Sequence, residues 1–452
     1  MAKEYKYRML VYPNITKKYN EIHKDSYMVL LPQVLRAISK INKSLHITVF
    51  NPIYLYELEE LKNVEQRIYN IRFSSNNNRM RADFFFDAGV FMDVLDWQNN
   101  DYDIIYSHLP EHTFQLSNLI HNQTHSVPKV LGYCHWFETD NQSPKRMLLQ
   151  NYIGLLEMEQ CGVNSQWLKD KVLKDAKKTF NDKTMERLEK IIQPHTLGID
   201  DYDLSPTTYR GKKIIAFNHR GQKYMGWDFF KKAMDKLWKK RKDFKVITFQ
   251  KDANASKYKW AENQPPLDVD RETYFSTLKK SYIGVGCFMG YSGGSSWSIS
   301  VTDGLSLGVP YVLPNKLVYP HMVGEDYPLF YDFKSEASFL ETINNVLDDK
   351  KLHKKTIKHI EPIVKKMKWL PSVKSWMDWK EFFNPNTYPM VGEKSEAYKR
   401  IVQKIKNHKT ITKRQLIGEM NWGVSFKFGR YRNRLRTDKR IKFLKDGYEW
   451  VG

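Results

Sequence analysis

Three short stretches of this 452-residue chain carry side chains whose types and spacing suit the binding of a phosphorylated ligand. The first is Cys287–Pro310, CFMGYSGGSSWSISVTDGLSLGVP. A strand there is expected to end in a Gly- and Ser-rich loop, followed by a helix from about Ser296 to Leu307 that Gly308 and Pro310 stop. Amides of Gly293, Gly294, Ser295 and Ser296 at that helix start, with the helix dipole, would form an anion site suited to a diphosphate. Asp303 follows Ser296 by two helical turns, where a carboxylate can accept two hydrogen bonds from a ribose diol. The competing reading is a Gly-rich turn ahead of an ordinary buried helix. The second stretch is His219–Gly226, HRGQKYMG, in which Arg220 offers a bidentate fork and Lys223 a point charge to phosphate oxygens. Solvated loop cations are the alternative there. The third is His135 in YCHWFE, just after a strand; a neutral imidazole can donate to a hydroxyl or accept from it, or simply pack beside Trp136 and Phe137. Glu138 and Asp25 are weaker candidates for a general base. The acidic run Asp200–Asp203 reads as a turn rather than a metal-binding Asp-x-Asp, and no metal site is expected. Cys134, Cys161 and Cys287 lack metal-ligand spacing, and so sparse a count fits a reducing, cytoplasmic setting.

The elements that must position these groups alternate. Arg8–Tyr12, His46–Phe50, Asp103–Ser107, Lys129–Tyr133 and Gly162–Ser165 read as strands, and Met28–Lys40 as the helix between the first two. Asp103–Ser107 and Lys129–Tyr133 each enter a polar, His-containing loop. A second α/β unit begins near Tyr209. Its strands are Lys213–Asn218, Lys245–Gln250, Tyr282–Phe288 and Pro310–Leu313, and its helices Trp227–Lys242, Ser335–Asp349 and the aromatic stretch Trp369–Phe383. Such alternation predicts two parallel, doubly wound sheets, with the site in the cleft between them at the strand C-termini.

The lobe from Lys213 to about Leu313 resembles the donor-binding domain of GT-B glycosyltransferases, particularly the retaining group that includes glycogen synthase and sucrose synthase. HRGQKYMGWDFF is similar to that family's strand–Arg–Lys–Gly loop, and SVTDGLSLGVPYVLP to its segment ending in Glu-Ala-x-x-x-Gly-x-Pro. The resemblance implies that Arg220 and Lys223 hold the donor diphosphate, that Asp303 holds the nucleotide ribose, and that His135 lies over the donor sugar. It also implies that Trp369–Phe383 crosses back to the first lobe, and that no metal or other cofactor is required besides a UDP-sugar as donor substrate. The chain departs from the family at Ser295, where the first of two glutamates would stand, which leaves the grip on the sugar and the stereochemistry open.

The formal net charge of +22 favours a polyanionic partner. From Ile401 to Gly452 there are 14 Lys and Arg against four acids, so 14 − 4 = +10 of that charge sits at one end. The pattern there is not that of a disordered polycation. Thr412 is placed to cap a helix, Ser425–Thr437 reads as a basic helix, and Lys442–Leu444 and Tyr448–Val451 as a hairpin turning at Asp446–Gly447. This order resembles a winged helix-turn-helix module, which implies contacts to double-stranded DNA from Lys427, Arg430, Arg432, Arg434, Arg436, Lys442 and Lys445. The expected architecture is α/β: a first Rossmann-like lobe over residues 1–200, a second over 201–395, and a basic winged-helix-like unit over 396–452. The chain is then similar to phage enzymes that glycosylate hydroxymethylated pyrimidines in DNA, acting as a monomer without membrane insertion. Two other readings stay open: a transferase acting on a cell-surface polymer or glycan with its basic face on anionic membrane, and a non-catalytic DNA-binding protein on a degenerate fold.

Overall fold

The computed structural model describes residues 5–452 apart from 14–25, 70–85, 87, 96–101, 125–127, 135–136, 138–144, 201–210, 220, 222, 250–256, 264–270, 288–296, 385–394, 421–427 and 445. The first lobe is built on β1 (Tyr7–Tyr12), β2 (Leu45–Asn51), β3 (Val64–Ile68), β4 (Ile104–Ser107), β5 (Lys129–Cys134), β6 (Gln160–Val163) and β7 (Ile192–Pro194). All pair in parallel, in the order β3-β2-β1-β4-β5-β6-β7. Every residue of β1 and β2 is buried, as expected of strands covered on both faces. The second lobe carries β8 (Lys213–Phe217), β9 (Phe244–Thr248), β10 (Ala261–Asn263), β11 (Ile283–Val285), β12 (Tyr311–Pro314) and β13 (Phe330–Tyr331). These too are parallel, in the order β10-β9-β8-β11-β12-β13. Two doubly wound, Rossmann-like lobes are therefore present, as the strand–helix alternation requires.

Helix Lys350–Met367 leads out of the second lobe, and the stretch expected as a single helix over Trp369–Phe383 divides into Trp369–Lys374 and Trp379–Phe382. The break has a local cause: the Asp378 carboxylate accepts from the amides of Lys380 and Glu381, both at 3.0 Å, and so starts a new helix. This segment runs down the first lobe. At its start Trp369 Nε1 donates to Asp200 at 2.9 Å and Ser372 Oγ to Thr196 O at 2.7 Å, beyond the end of β7. Midway, Trp376 stacks on Tyr133 with ring centroids 5.3 Å apart. At its end the Phe382 carbonyl accepts from Lys129 Nζ at 2.8 Å, and the Phe383 carbonyl from the Tyr7 hydroxyl, at the beginnings of β5 and β1.

The C-terminal unit consists of helix Glu396–His408, β14 (Thr410–Thr412), helix Lys413–Glu419, helix Phe428–Thr437, β15 (Ile441–Phe443) and β16 (Gly447–Trp450). Its antiparallel sheet has the order β14-β16-β15, and a core of Tyr398, Ile401, Ile405, Leu416, Leu435 and Phe443 lies beneath. Thr412 caps its helix in a reciprocal box with Gln415, as its position promised. Strand β14 was not anticipated, because three residues give no periodicity.

The unit is fastened to the leading edge of the first lobe. Tyr5 N donates to Phe443 O at 3.0 Å and Arg436 Nε to Lys6 O at 2.5 Å. Arg432 and Arg436 both pair with Asp103, the former at 3.2 Å, while Asp103 also accepts from the Arg8 amide at 2.8 Å. The Arg436 guanidinium lies 4.6 Å over the Tyr7 ring. This corrects the expectation that Arg432 and Arg436 face outward for DNA: they are 3 % and 7 % exposed, against an acid that is itself 6 % exposed. The sequence shows basic residues along a helix but not the carboxylate more than 300 positions earlier that draws two of them inward.

Candidate functional site

In the second lobe the site is built behind the ends of β8 and β11. Asn218 and His219 follow β8 and are both buried. The Asn218 amide donates to Tyr274 Oη at 2.8 Å and to Ser300 O at 2.7 Å, and its carbonyl oxygen accepts from Tyr311 Oη at 2.9 Å. Tyr274 Oη in turn donates to Asp303 Oδ2 at 3.1 Å. Burial first, and the Asp303 charge second, push the Tyr274 phenol well above its ordinary value, so it remains a donor. Asp303 is thus oriented by a chain of buried hydroxyls and amides rather than left to swing.

The helix bearing Asp303 spans Ile299–Ser306 and is capped by Ser298, whose hydroxyl accepts from Val301 N at 3.4 Å. It was expected to begin near Ser296. The later start makes Asp303 the fifth helical residue, little more than a turn from the N-terminus, because a serine that satisfies a first-turn amide sets the boundary. Gly304 lets this helix close on β12, since a Cβ there would meet the Tyr311 ring at 2.1 Å. Gly293, Gly294, Ser295 and Ser296 lie outside the described residues, as does Arg220.

Lys223 is exposed on the short turn Lys223–Met225, which leads to Gly226 and helix Trp227–Lys240. Gly226 has φ +79° and caps that helix; a Cβ would stand 1.9 Å from Cys287 O. The loop is therefore held against the end of β11 by a residue that only glycine can supply. Buried His219 ties the same two strand ends by donating from Nε2 to Val285 O at 2.8 Å, and burial lowers its pKa to about 4. Its neutral ring is a brace.

In the first lobe His135, Glu138 and Asp25 fall outside the described residues. Sequence reasoning passed over a buried group at the ends of β1 and β4. Tyr12 Oη lies 2.9 Å from His112 Nδ1, and Glu111, 1 % exposed, sits in the first turn of helix Pro110–Thr124. The signal was a polar, His-containing loop after β4, HLPEHT, whose members only the fold brings beside Tyr12. Asp200 accepts from Trp369, and the rest of the acidic run Asp200–Asp203 lies outside the described residues. In the C-terminal unit, Lys427 and Lys445 lie outside the described residues and Arg430 falls within helix Phe428–Thr437. Arg434 is partly buried 5.9 Å over the Tyr398 ring, and Lys442 is 3.8 Å from Glu449. Among the described residues no helix is long and apolar enough to cross a membrane.

No family model and no curated protein matches the chain. Among solved structures it is similar to a glycosyltransferase from Rickettsia africae, at 12 % identity over 82 % of this chain and 96 % of that one, with a TM-score of 0.59. Anabaena HepE in complex with UDP and glucose matches at 9 % identity over 81 % and 97 %, TM-score 0.57. A UDP-N-acetylglucosamine 2-epimerase, so described, from Listeria monocytogenes matches at 12 % identity over 82 % and 94 %, TM-score 0.51. At such identities the likeness establishes the two-lobed fold, and the reaction has to be argued from the site.

Proposed function

We propose that the chain transfers a sugar from a UDP-sugar to the hydroxymethyl group of a modified pyrimidine in duplex DNA. The observation that carries the transferase reading is the Asp303–Tyr274–Asn218 chain at the ends of β8 and β11. It fixes a carboxylate close to the carboxyl ends of the strands, where ligands of open α/β sheets bind, and that supports a ribose contact. On this reading Lys223 and Arg220 neutralise the diphosphate, the amides of Gly293–Ser296 add to that field, and His135 orients the sugar. The acceptor oxygen attacks the anomeric carbon, the bond to the diphosphate oxygen breaks with its electron pair, and the hydroxyl proton is released. Fixed cations and amides aimed at the leaving group supply the main stabilisation. The choice of DNA rests on the +10 charge of residues 401–452, borne by a helix–strand–helix–helix–hairpin unit of winged-helix-like order. Incubating the protein with UDP-sugars and hydroxymethylcytosine DNA, then weighing the digested nucleosides, tests the proposal. A hexose or pentose mass increment is expected, and its absence with every donor overturns the acceptor assignment. Donor hydrolysis that survives in wild type but is lost in Asp303→Ala retains the transferase half alone.

A further inference from the structure

We infer that the C-terminal unit is a distal anchor: it grips a polyanionic duplex at the end of the first lobe opposite the cleft, through the surface around Trp450. The inference rests on the DNA reading above and adds where, and with which residues, the duplex is held.

Position comes first. The residues that receive the unit are Tyr5, Lys6, Arg8 and Asp103, at the beginnings of β1 and β4. The crossing segment delivers the chain to the same end, since Phe382 and Phe383 meet Lys129 and Tyr7 at the beginnings of β5 and β1. Ligands of open parallel sheets bind at the other end, beyond the strand C-termini. Strand β1 has six residues. At roughly 3.3 Å per residue the two ends are some 20 Å apart. That corresponds to about six base pairs of duplex at roughly 3.4 Å each. A base reacting in the cleft is therefore too far away for the unit to present it.

The surface comes second. Arg432 and Arg436, on helix Phe428–Thr437, are committed to Asp103. Elsewhere on the unit Lys406, Lys409, Lys439 and Arg440 are exposed, and Lys406, Lys409 and Arg440 adjoin Trp450. Lys406 Nζ and the Arg440 guanidinium lie 5.6 and 5.4 Å from the Trp450 ring centroid. Trp450 N donates to Lys409 O and Val451 N to Arg440 O, both at 2.8 Å, which fixes Lys409 and Arg440 on either side of this strand end. The neighbouring acids are engaged locally, Asp438 by Arg440 and Tyr398 and Glu449 by Lys442. Lys406 and Arg440 against one indole, with exposed Lys409 tied to it through the backbone, suit a phosphate backbone, with charges for the phosphates and a flat apolar ring for the sugar edge.

The test uses the full chain and hydroxymethylcytosine duplexes of 8 and 24 base pairs with the target base at the centre. Only the longer one extends past the distance to the anchor. Wild type should show an acceptor KM at least tenfold lower on the long duplex. Lys406→Glu/Lys409→Glu, which leaves the Arg440–Asp438 pair intact, should shrink that gain to under threefold and flatten the salt dependence of KM, at an unchanged melting temperature. Lys409→Glu, a single change, should shrink it partially. A wild type without a length effect, or a double variant that keeps it, overturns the anchor. Failure of wild type to modify either duplex strikes the DNA reading instead. Binding to phosphatidylserine vesicles that the double variant loses, with no length effect on DNA, reassigns the surface to lipid and overturns the proposal.

Discussion

On the proposed reading, Asp303 and Tyr274 together determine how firmly a ribose is held. The carboxylate supplies the hydrogen bonds and the phenol fixes its plane. Charge-assisted hydrogen bonds contribute about 1.5–3 kcal/mol, so Asp303→Ala should raise the KM for the nucleotide-sugar roughly ten- to a hundredfold. Tyr274→Phe should give a smaller rise in the same direction; titration of donor binding by calorimetry checks both. The buried histidines make a different prediction. His219 and the partly exposed His195 are both lowered by burial to about 4 from an ordinary 6.5. A base whose folded pKa is depressed binds its proton more readily unfolded, so stability is full above about pH 6.5 and is lost as pH falls towards 4. His219 should account for at most about 3 kcal/mol of that loss. Urea titrations from pH 7 to 4.5 should show it, and His219→Gln should flatten the profile. Asp303 could be singled out from sequence because its spacing from a Gly-rich loop is a local pattern. The Tyr274–Asn218 support could not, because those residues are joined only when β8, β11 and two helices meet.

Elements were easiest to read where burial forces a long apolar run or an unmistakable period. β1, β2 and helix Trp227–Lys240 belong to that class, and each was anticipated to within a few residues. The short strands β3, β7, β10 and β13 were not, since two to five residues of mixed polarity carry no period. Helix Lys350–Met367 was missed as well; its apolar face is spaced among lysines and interrupted by Pro362. Glycines at the loop–helix joints carry a sharper prediction. Gly226→Ala would combine a left-handed backbone with a Cβ driven into Cys287 O. A cost of about 2–4 kcal/mol follows from strain and overpacking together. It should appear as a lower melting temperature and as weaker donor binding, because the displaced loop carries Lys223. Gly211, also at positive φ but with nothing within 4 Å of a built Cβ, is the control and should cost less.

Among the described residues, a strap and a clamp link the three sheets in sequence. Asp103→Ala would leave two buried guanidiniums facing each other, at a cost of about 3–5 kcal/mol. The triple change Asp103→Leu/Arg432→Met/Arg436→Met should recover much of it. Thermal melts, with hydrogen exchange at β15 and β16, distinguish repulsion from simple loss of contact. Nothing in the local sequence announces this clamp, since helix Phe428–Thr437 reads equally well as a nucleic-acid surface. The same clamp bears on how the chain is made. The first lobe can assemble once its strands have left the ribosome, but the Lys6 carbonyl and the Asp103 carboxylate wait for Arg436, and Lys6 waits across 430 positions. Until helix Phe428–Thr437 has been made, the leading edge of β1 is therefore incomplete. Only helix Phe428–Thr437 can close it, so an edge laid down by the first strand waits for a helix made more than 400 positions later.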